Sequence, residues 1–230
     1  MPFYYYFDPT MLIVLPAIIF AFWAQINVNS TFEKYRKVKT ESNTTGYDAA
    51  RRILDANGLE HVAIEMVAGE LTDHYDPKAN VIRLSNAVYG STSAAAVGVA
   101  AHEAGHAVQH AKGYFPIKVR QAIIPVTRFG SALAMPLFFL GLIFAATPLM
   151  YLGIAFFALA TVFQLVTLPV EFNASRRAMQ ALEGSGRMST PELKASRKVL
   201  TAAALTYVAA LASSLLSLLR LIVLANNRRR

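Results

Sequence analysis

The chain has no cysteine and few charged residues, and both absences narrow what it can be. Without cysteine it forms neither disulfides nor thiolate metal sites, so any metal must bind to His, Asp or Glu. Only 16% of the 230 residues are charged, 55% are hydrophobic, and the mean hydropathy is +0.39. This composition is too apolar for a soluble domain of this size. It indicates a protein that contacts the lipid bilayer.

The charges that are present give a net charge of +8. The basic residues do not form a stripe interleaved with aromatic residues, so the positive charge does not predict nucleic-acid binding. They flank the uncharged segments instead, as basic residues do beside membrane spans. We therefore expect no nucleic-acid partner.

Long uncharged segments predict membrane spans. Residues 9–28 are long enough to cross a hydrocarbon core of about 30 Å, and they predict an uncleaved anchor because no cleavage site follows them. Residues 129–170 are 42 positions without Asp, Glu, Lys, Arg or His, which predicts two spans joined by a turn near Pro148. Residues 199–225 predict a fourth span, either transmembrane or interfacial. We expect a mainly α integral membrane protein with about four transmembrane helices.

The basic residues also predict the orientation. They gather after span one, within 29–128, and between spans three and four, within 171–198. Because basic loops favour the cytoplasm, we expect a multi-pass protein of the cell membrane with both segments in the cytoplasm. Four spans would leave the basic "NNRRR" end outside, against the same rule, unless the last segment lies in the interface. The sequence leaves this conflict open.

Residues 29–128 predict a small α+β domain between spans one and two. Its strands carry β-branched residues separated by turn residues, and its last helix is rich in alanine and valine on most of its surface. The predicted elements are a helix at 48–57, three strands of a small antiparallel sheet at 61–67, 69–75 and 80–85, and a buried helix at 91–110.

The last of these helices carries the sequence "HEAGH". His102 and His106 lie four residues apart, so their imidazoles project from one face of the helix and can bind one metal ion together. Glu103 lies between them, where its carboxylate can accept a proton from a metal-activated water. The alternative is a pair of hydrogen-bonded core histidines with an unrelated glutamate beside them. His110 continues the same row and is more typical of a helix-end or supporting residue than of a ligand.

A catalytic zinc ion takes three protein ligands and keeps one open position, so a third ligand must come from elsewhere. Glu171 is the best candidate because it is the first charged residue after 42 uncharged ones and is expected to open a helix. The alternative is a glutamate at headgroup level that favours a helix N-terminus. Other acidic residues compete by charge alone: Glu33, Glu41, Glu60, Glu65, Glu70, Asp73 and Asp76.

The two motifs together resemble a known family. "AAHEAGHAVQHA", a membrane hairpin and then "PVEFNASRRAMQAL" resemble the YugP-like neutral zinc metallopeptidases of bacterial membranes, and more distantly the HtpX-type and CAAX-prenyl endopeptidases. The resemblance implies a zincin-like domain with one Zn²⁺ per chain, held by His102, His106 and Glu171, with Glu103 as the general base. Ser175 stands where the distant relatives have an aspartate, so the usual carboxylate behind a ligand histidine is absent or supplied elsewhere.

These features predict a membrane-embedded zinc endopeptidase that cleaves peptide bonds of membrane or membrane-proximal proteins. The alternatives are a noncatalytic membrane protein with a structural zinc site and, less favoured, a membrane diiron oxidase. Candidates for stabilising the transition state or supporting the ligands are His110, Arg176, Arg177 and Ser175. A sheet-edge strand that could pair with an extended substrate is predicted at Val81, Ile82, Arg83 and Leu84.

Overall fold

The structure is a computed structural model that describes residues 8–227. Helices dominate this part of the chain, and a small sheet lies between the second and third of them. The elements in chain order are α1 (Met11–Tyr35), α2 (Gly46–Asp55), β1 (Ala63–Val67), β2 (His74–Asp76), β3 (Val81–Ser85), α3 (Asn86–Tyr89), α4 (Ala94–Ala111), α5 (Phe115–Ile143), α6 (Thr147–Gly184) and α7 (Thr190–Asn227).

Four helices, α1, α5, α6 and α7, are long and apolar enough to cross a membrane. This confirms the expected fold class, a mainly helical membrane protein with a small sheet. The hairpin turn comes slightly earlier than expected, because α5 ends at Ile143 and α6 begins at Thr147. Pro148 therefore lies in the first turn of α6, where a missing N–H costs no intrahelical hydrogen bond. The membrane limits of each span stay predictions.

Helix α6 does not end at the first charged residue. We expected Glu171 to open a new helix, and that is wrong: it lies inside α6, which runs on to Gly184. Pro169 is also inside this helix. Proline removes one backbone donor and often ends a helix, but both sides of it are helical here. The uncharged segment and Glu171 are therefore parts of one continuous helix.

The described residues divide into two compact units. The first contains Val119–Leu168 with the described parts of Met1–Ala24 and Thr206–Arg230. The second contains Gln25–Lys118 and Pro169–Leu205. The second unit thus combines most of the predicted domain at 29–128 with the predicted segment at 171–198.

In the first unit, polar contacts join the end of α7 to the starts of two other long helices. The Arg220 guanidinium donates to Asp8 Oδ2 at 2.8 Å and to Thr10 Oγ1 at 3.1 Å, just before α1. Tyr151 Oη donates to Asn226 Oδ1 at 3.2 Å. These contacts place the end of α7 beside the starts of α1 and α6, and a transmembrane or interfacial α7 stays a prediction. Residues 228–230 of the basic end lie outside the described residues.

The sheet of the second unit has the order β1-β3-β2 and is mixed. The expected antiparallel sheet is wrong in one pair, because β1 runs parallel to β3 while β2 is antiparallel to it. A tight turn closes the antiparallel pair: Asp76 Oδ1 accepts from the backbone N–H groups of Lys78 and Ala79. The longer connection from β1 to β2 reverses the chain, which leaves β1 and β3 in the same direction.

The central strand β3 is also not an edge. Its residues Val81, Ile82 and Arg83 pair with β1 on one side and with β2 on the other, and Leu84 pairs with β1. The prediction that these residues form a substrate-pairing edge is therefore wrong. In the described sheet the edge strands are β1 and β2.

Helix α4 lies in the core of the second unit and packs closely on α6 and α7. Ser93 caps it, accepting a hydrogen bond from the Ala96 N–H at 3.2 Å. A Cβ at Gly105 would lie 2.7 Å from the Ala174 carbonyl oxygen on α6, so only glycine allows this approach. On the α7 side, Ser196 Oγ donates to the Ala94 carbonyl at 2.7 Å. Small residues thus bring the three helices together.

We expect Gly105→Ala to destabilise the protein by about 1–3 kcal/mol, because the added methyl group meets backbone that cannot turn aside. Thermal unfolding in detergent measures the loss. Gly184→Ala is the matched control, since a Cβ at Gly184 meets nothing within 4 Å and alanine is the better helix former. Equal melting temperatures for the two variants would contradict the close approach.

Candidate metal centre

Two helices bring together three side chains that can bind a metal. His102 and His106 come from α4 and Glu171 comes from α6. The two Nε2 atoms are 3.1 Å apart, and they lie 3.2 Å (His102) and 3.4 Å (His106) from Glu171 Oε2. The pair from "HEAGH" thus meets the glutamate singled out from the sequence, across the 64 residues that separate His106 from Glu171.

These distances fit a tetrahedral zinc site. Zn–N and Zn–O bonds of about 2.0–2.2 Å at tetrahedral angles place neighbouring donor atoms about 3.3–3.5 Å apart. The three observed separations lie close to that range. Three donors also leave the fourth position open, as catalytic zinc sites require. The residues present therefore fit one zinc ion.

The donor atoms are largely buried. The side chains of His102 and His106 are 13% and 12% exposed, and that of Glu171 is 2% exposed. Burial acts to lower the pKa of His106, but its contact with Glu171 and the negative charge of Glu103 raise that pKa above its ordinary value. The cluster thus carries a negative field that favours a bound cation.

Each ligand histidine has a different polar partner behind it. His102 Nδ1 lies 3.1 Å from Ser175 Oγ, so a hydroxyl occupies the place where the distant relatives have a carboxylate. His106 Nδ1 lies 3.0 Å from Gln109 Oε1, and the Gln109 side chain is fully buried. The sequence indicated Ser175 through its place in the motif. It gave no prediction for Gln109, although a polar residue three positions after His106 on an apolar helix was a signal.

Glu103 is buried beside the histidines, 8% exposed. The pKa of Asp73 shows that this second acidic residue lies near Glu103. Burial raises the pKa of Asp73, two hydrogen bonds from Ser85 act to lower it, and the negative charge of Glu103 raises it further. Asp73 Oδ1 accepts from the Ser85 N–H at 2.7 Å. The negative charge of Glu103, the candidate general base, therefore acts on the Asp73 carboxyl group.

The other predicted site residues lie outside the donor cluster. His110 packs against the ring of Tyr75, with ring centroids 5.4 Å apart. Arg176 is exposed and lines a cavity of about 390 Å³ between α6 and α7, and Arg177 Nε donates to Asn173 Oδ1 at 2.8 Å. Their role towards the transition state stays a prediction. None of the competing acidic residues joins a metal-binding cluster in the part of the chain that the structure describes: Glu33, Glu41, Glu60, Glu65, Glu70, Asp73 and Asp76.

We expect Ser175→Ala to weaken zinc binding about 10–100-fold, because His102 loses the partner that holds its ring in place. Competition with a chromogenic chelator measures the dissociation constant. Ser185→Ala is the control, since Ser185 lies just after α6 and its Oγ contacts backbone there, donating to the Leu182 carbonyl and accepting from the Arg187 N–H. An unchanged zinc affinity in Ser175→Ala would show that the hydroxyl is dispensable.

Comparison with known proteins bears on this geometry. A family model described as "Putative neutral zinc metallopeptidase" matches residues 10–226. The chain is 48% identical over 219 residues to the "Putative membrane protease YugP" of Bacillus subtilis (strain 168), covering 95% of this chain and 97% of that protein. No solved structure matches the chain.

The four helices that are long and apolar enough to cross a membrane, together with the two-histidine, one-glutamate cluster, define a membrane protein with a candidate metal site. The family match covers nearly the whole chain, including all three donor residues. The protein belongs to the putative neutral zinc metallopeptidase family.

Proposed function

We propose that the protein is a membrane-embedded zinc endopeptidase that hydrolyses peptide bonds of membrane or membrane-proximal proteins. The observation that carries the proposal is the donor triangle of His102, His106 and Glu171, whose edges of 3.1–3.4 Å suit tetrahedral zinc. Glu103 adds a carboxylate one residue from the first ligand. Family membership supports the same reaction class.

The mechanism divides the work among these residues. When bound, zinc supplies Lewis acidity that activates water and polarises the scissile carbonyl. The Glu103 carboxylate accepts a proton from the attacking water and delivers it to the leaving amine. Because Glu103 is buried, solvent screens its electrostatic action on the reacting atoms less than it would at the surface.

The substrate class follows from the helix that carries the third ligand. Glu171 comes directly after the uncharged stretch of α6, so one continuous helix serves as both span and ligand support. Peptide bonds near the bilayer surface are therefore the ones we expect to reach the site. Because β3 is paired on both sides, an extended substrate that pairs with this sheet would use β1 or β2.

Glu103→Gln tests catalysis apart from metal binding. We expect it to lower the hydrolysis of an unfolded model protein on the order of 10²–10⁴-fold, because the proton acceptor is lost. Elemental mass spectrometry should still find about one zinc per chain. His106→Ala and Glu171→Ala should lose both zinc and activity, and Glu60→Gln, an exposed glutamate of the same unit, should keep both.

Two outcomes would overturn the proposal. Full hydrolysis by Glu103→Gln would remove Glu103 from catalysis. If the wild-type protein binds zinc but has no peptidase activity, the noncatalytic hypothesis is favoured, in which the metal joins two helices.

We further propose that the metal site faces the cytoplasm. The chain has no cysteine, so single introduced cysteines report sidedness without background. Ser185→Cys lies between α6 and α7, and Phe144→Cys lies in the turn between α5 and α6. A membrane-impermeant maleimide should label Phe144→Cys in intact cells, but Ser185→Cys only after lysis. The reverse pattern would place the site outside.

A further inference from the structure

A chain of hydrogen-bonded polar side chains runs from the metal cluster through the buried Gln109 and the half-buried Asn173 to Arg177 on α6. His106 Nδ1 contacts Gln109 Oε1 at 3.0 Å, and Gln109 Nε2 donates to Asn173 Oδ1 at 3.0 Å. Asn173 Oδ1 also accepts from Arg177 Nε at 2.8 Å. We propose that Arg177, Asn173 and Gln109 are positioning residues that hold His106 in the ring tautomer that binds zinc. The proposal rests on the zinc site of the proposed function and assigns it three further residues.

The donor and acceptor in each of these hydrogen bonds follow from Arg177, which lies at the end of the series away from the metal ligands. Arginine only donates, so the Asn173 atom that faces Arg177 must be its oxygen. The Gln109 atom that meets the same oxygen must then be the amide nitrogen. A second contact gives the same answer independently, because Gln109 Nε2 also lies 2.8 Å from the Val170 carbonyl oxygen, which only accepts.

With the amide nitrogen used twice, Gln109 presents its oxygen to His106. An oxygen acceptor requires a proton on Nδ1, so Nδ1–H donates to Gln109 Oε1. A neutral imidazole with its proton on Nδ1 has a free lone pair on Nε2, and Nε2 is the atom that faces His102 and Glu171. The order of donors and acceptors that begins at Arg177 thus leaves the Nε2 lone pair of His106 free to bind a metal.

Gln109 also ties the two ligand-bearing helices together. It belongs to α4, three residues after His106, and it binds the carbonyl of Val170, the residue before Glu171 on α6. One amide therefore holds both the ring of His106 and the backbone beside Glu171. His102 differs, because its partner Ser175 has a hydroxyl that can donate or accept and so imposes no tautomer.

The experiment uses full-length protein in detergent, loaded with zinc and labelled with ¹⁵N-histidine. With five histidines in the chain, the His106 signals are assigned by their loss in His106→Ala. In the wild type we expect a resolved, slowly exchanging Nδ1–H proton on His106. Gln109→Met keeps the side-chain volume but removes the acceptor, so this proton should exchange rapidly and zinc should bind about 10–100-fold more weakly.

Two further variants separate positioning from structure. Asn173→Asp keeps an oxygen facing both Arg177 and Gln109, so it should retain the protected proton and near-wild-type zinc affinity. Asn173→Leu removes that oxygen, so we expect faster proton exchange and several-fold weaker zinc binding. Because Asn173 is only half-buried, this variant can still test the proposal if Gln109→Met fails to fold. Lys194→Gln is the control for charge, because it removes an exposed cation that takes no part in this series of hydrogen bonds.

A protected Nδ1–H and unchanged zinc affinity in a folded Gln109→Met or Asn173→Leu protein would overturn the proposal. Equal losses in Asn173→Asp and Asn173→Leu would do the same, since they would indicate a merely structural role. A wild-type protein that binds no zinc would instead refute the metal site itself, so the two failures are distinguishable.

Discussion

The close approach of α4 and α6 is the constraint on which the metal cluster depends. At Gly105 the two backbones are so near that a Cβ would come within 2.7 Å of the Ala174 carbonyl oxygen. Gly105 lies between the histidine ligands, and Ala174 lies three residues after Glu171. Donor atoms must converge within a few tenths of an ångström for zinc to bind, so the spacing of these helices matters as much as the ligands themselves.

The polar residues around the cluster reinforce this spacing from two sides. Ser175 reaches from α6 to His102 on α4, and Gln109 reaches from α4 to Val170 and Asn173 on α6. Each contact satisfies a buried polar group that would otherwise cost about 1–3 kcal/mol. The same hydrogen bonds therefore hold the helices together and orient the rings. Binding site and helix interface are one structure.

Composition and spacing predicted a large part of this molecule, for identifiable reasons. An uncharged segment of about 20 residues can cross a bilayer as a helix, which satisfies its own backbone hydrogen bonds. The four long helices could therefore be predicted from the absence of charge. The i, i+4 histidine pair fixes a face of a helix by geometry alone. Glu171 could be proposed because a charge directly after an apolar stretch needs an explanation, and the family motif supplied one.

What could not be predicted depends on contacts between distant segments. Alternation of side chains marks a strand but not its direction, so the parallel pairing of β1 with β3 was missed. Pro169 and Glu171 indicated a helix boundary by local preference, yet α6 continues through both. The Gln109 and Asn173 contacts join residues 64 positions apart, and nothing local to either residue announces the other.

The order of the ligands along the chain has a consequence for biosynthesis. The two histidines are translated before the membrane hairpin, and the glutamate that completes the cluster comes after it. A nascent chain whose hairpin has not yet been made holds only two of the three donors. The complete set of three donors thus exists only after about three quarters of the 230 residues have been synthesised.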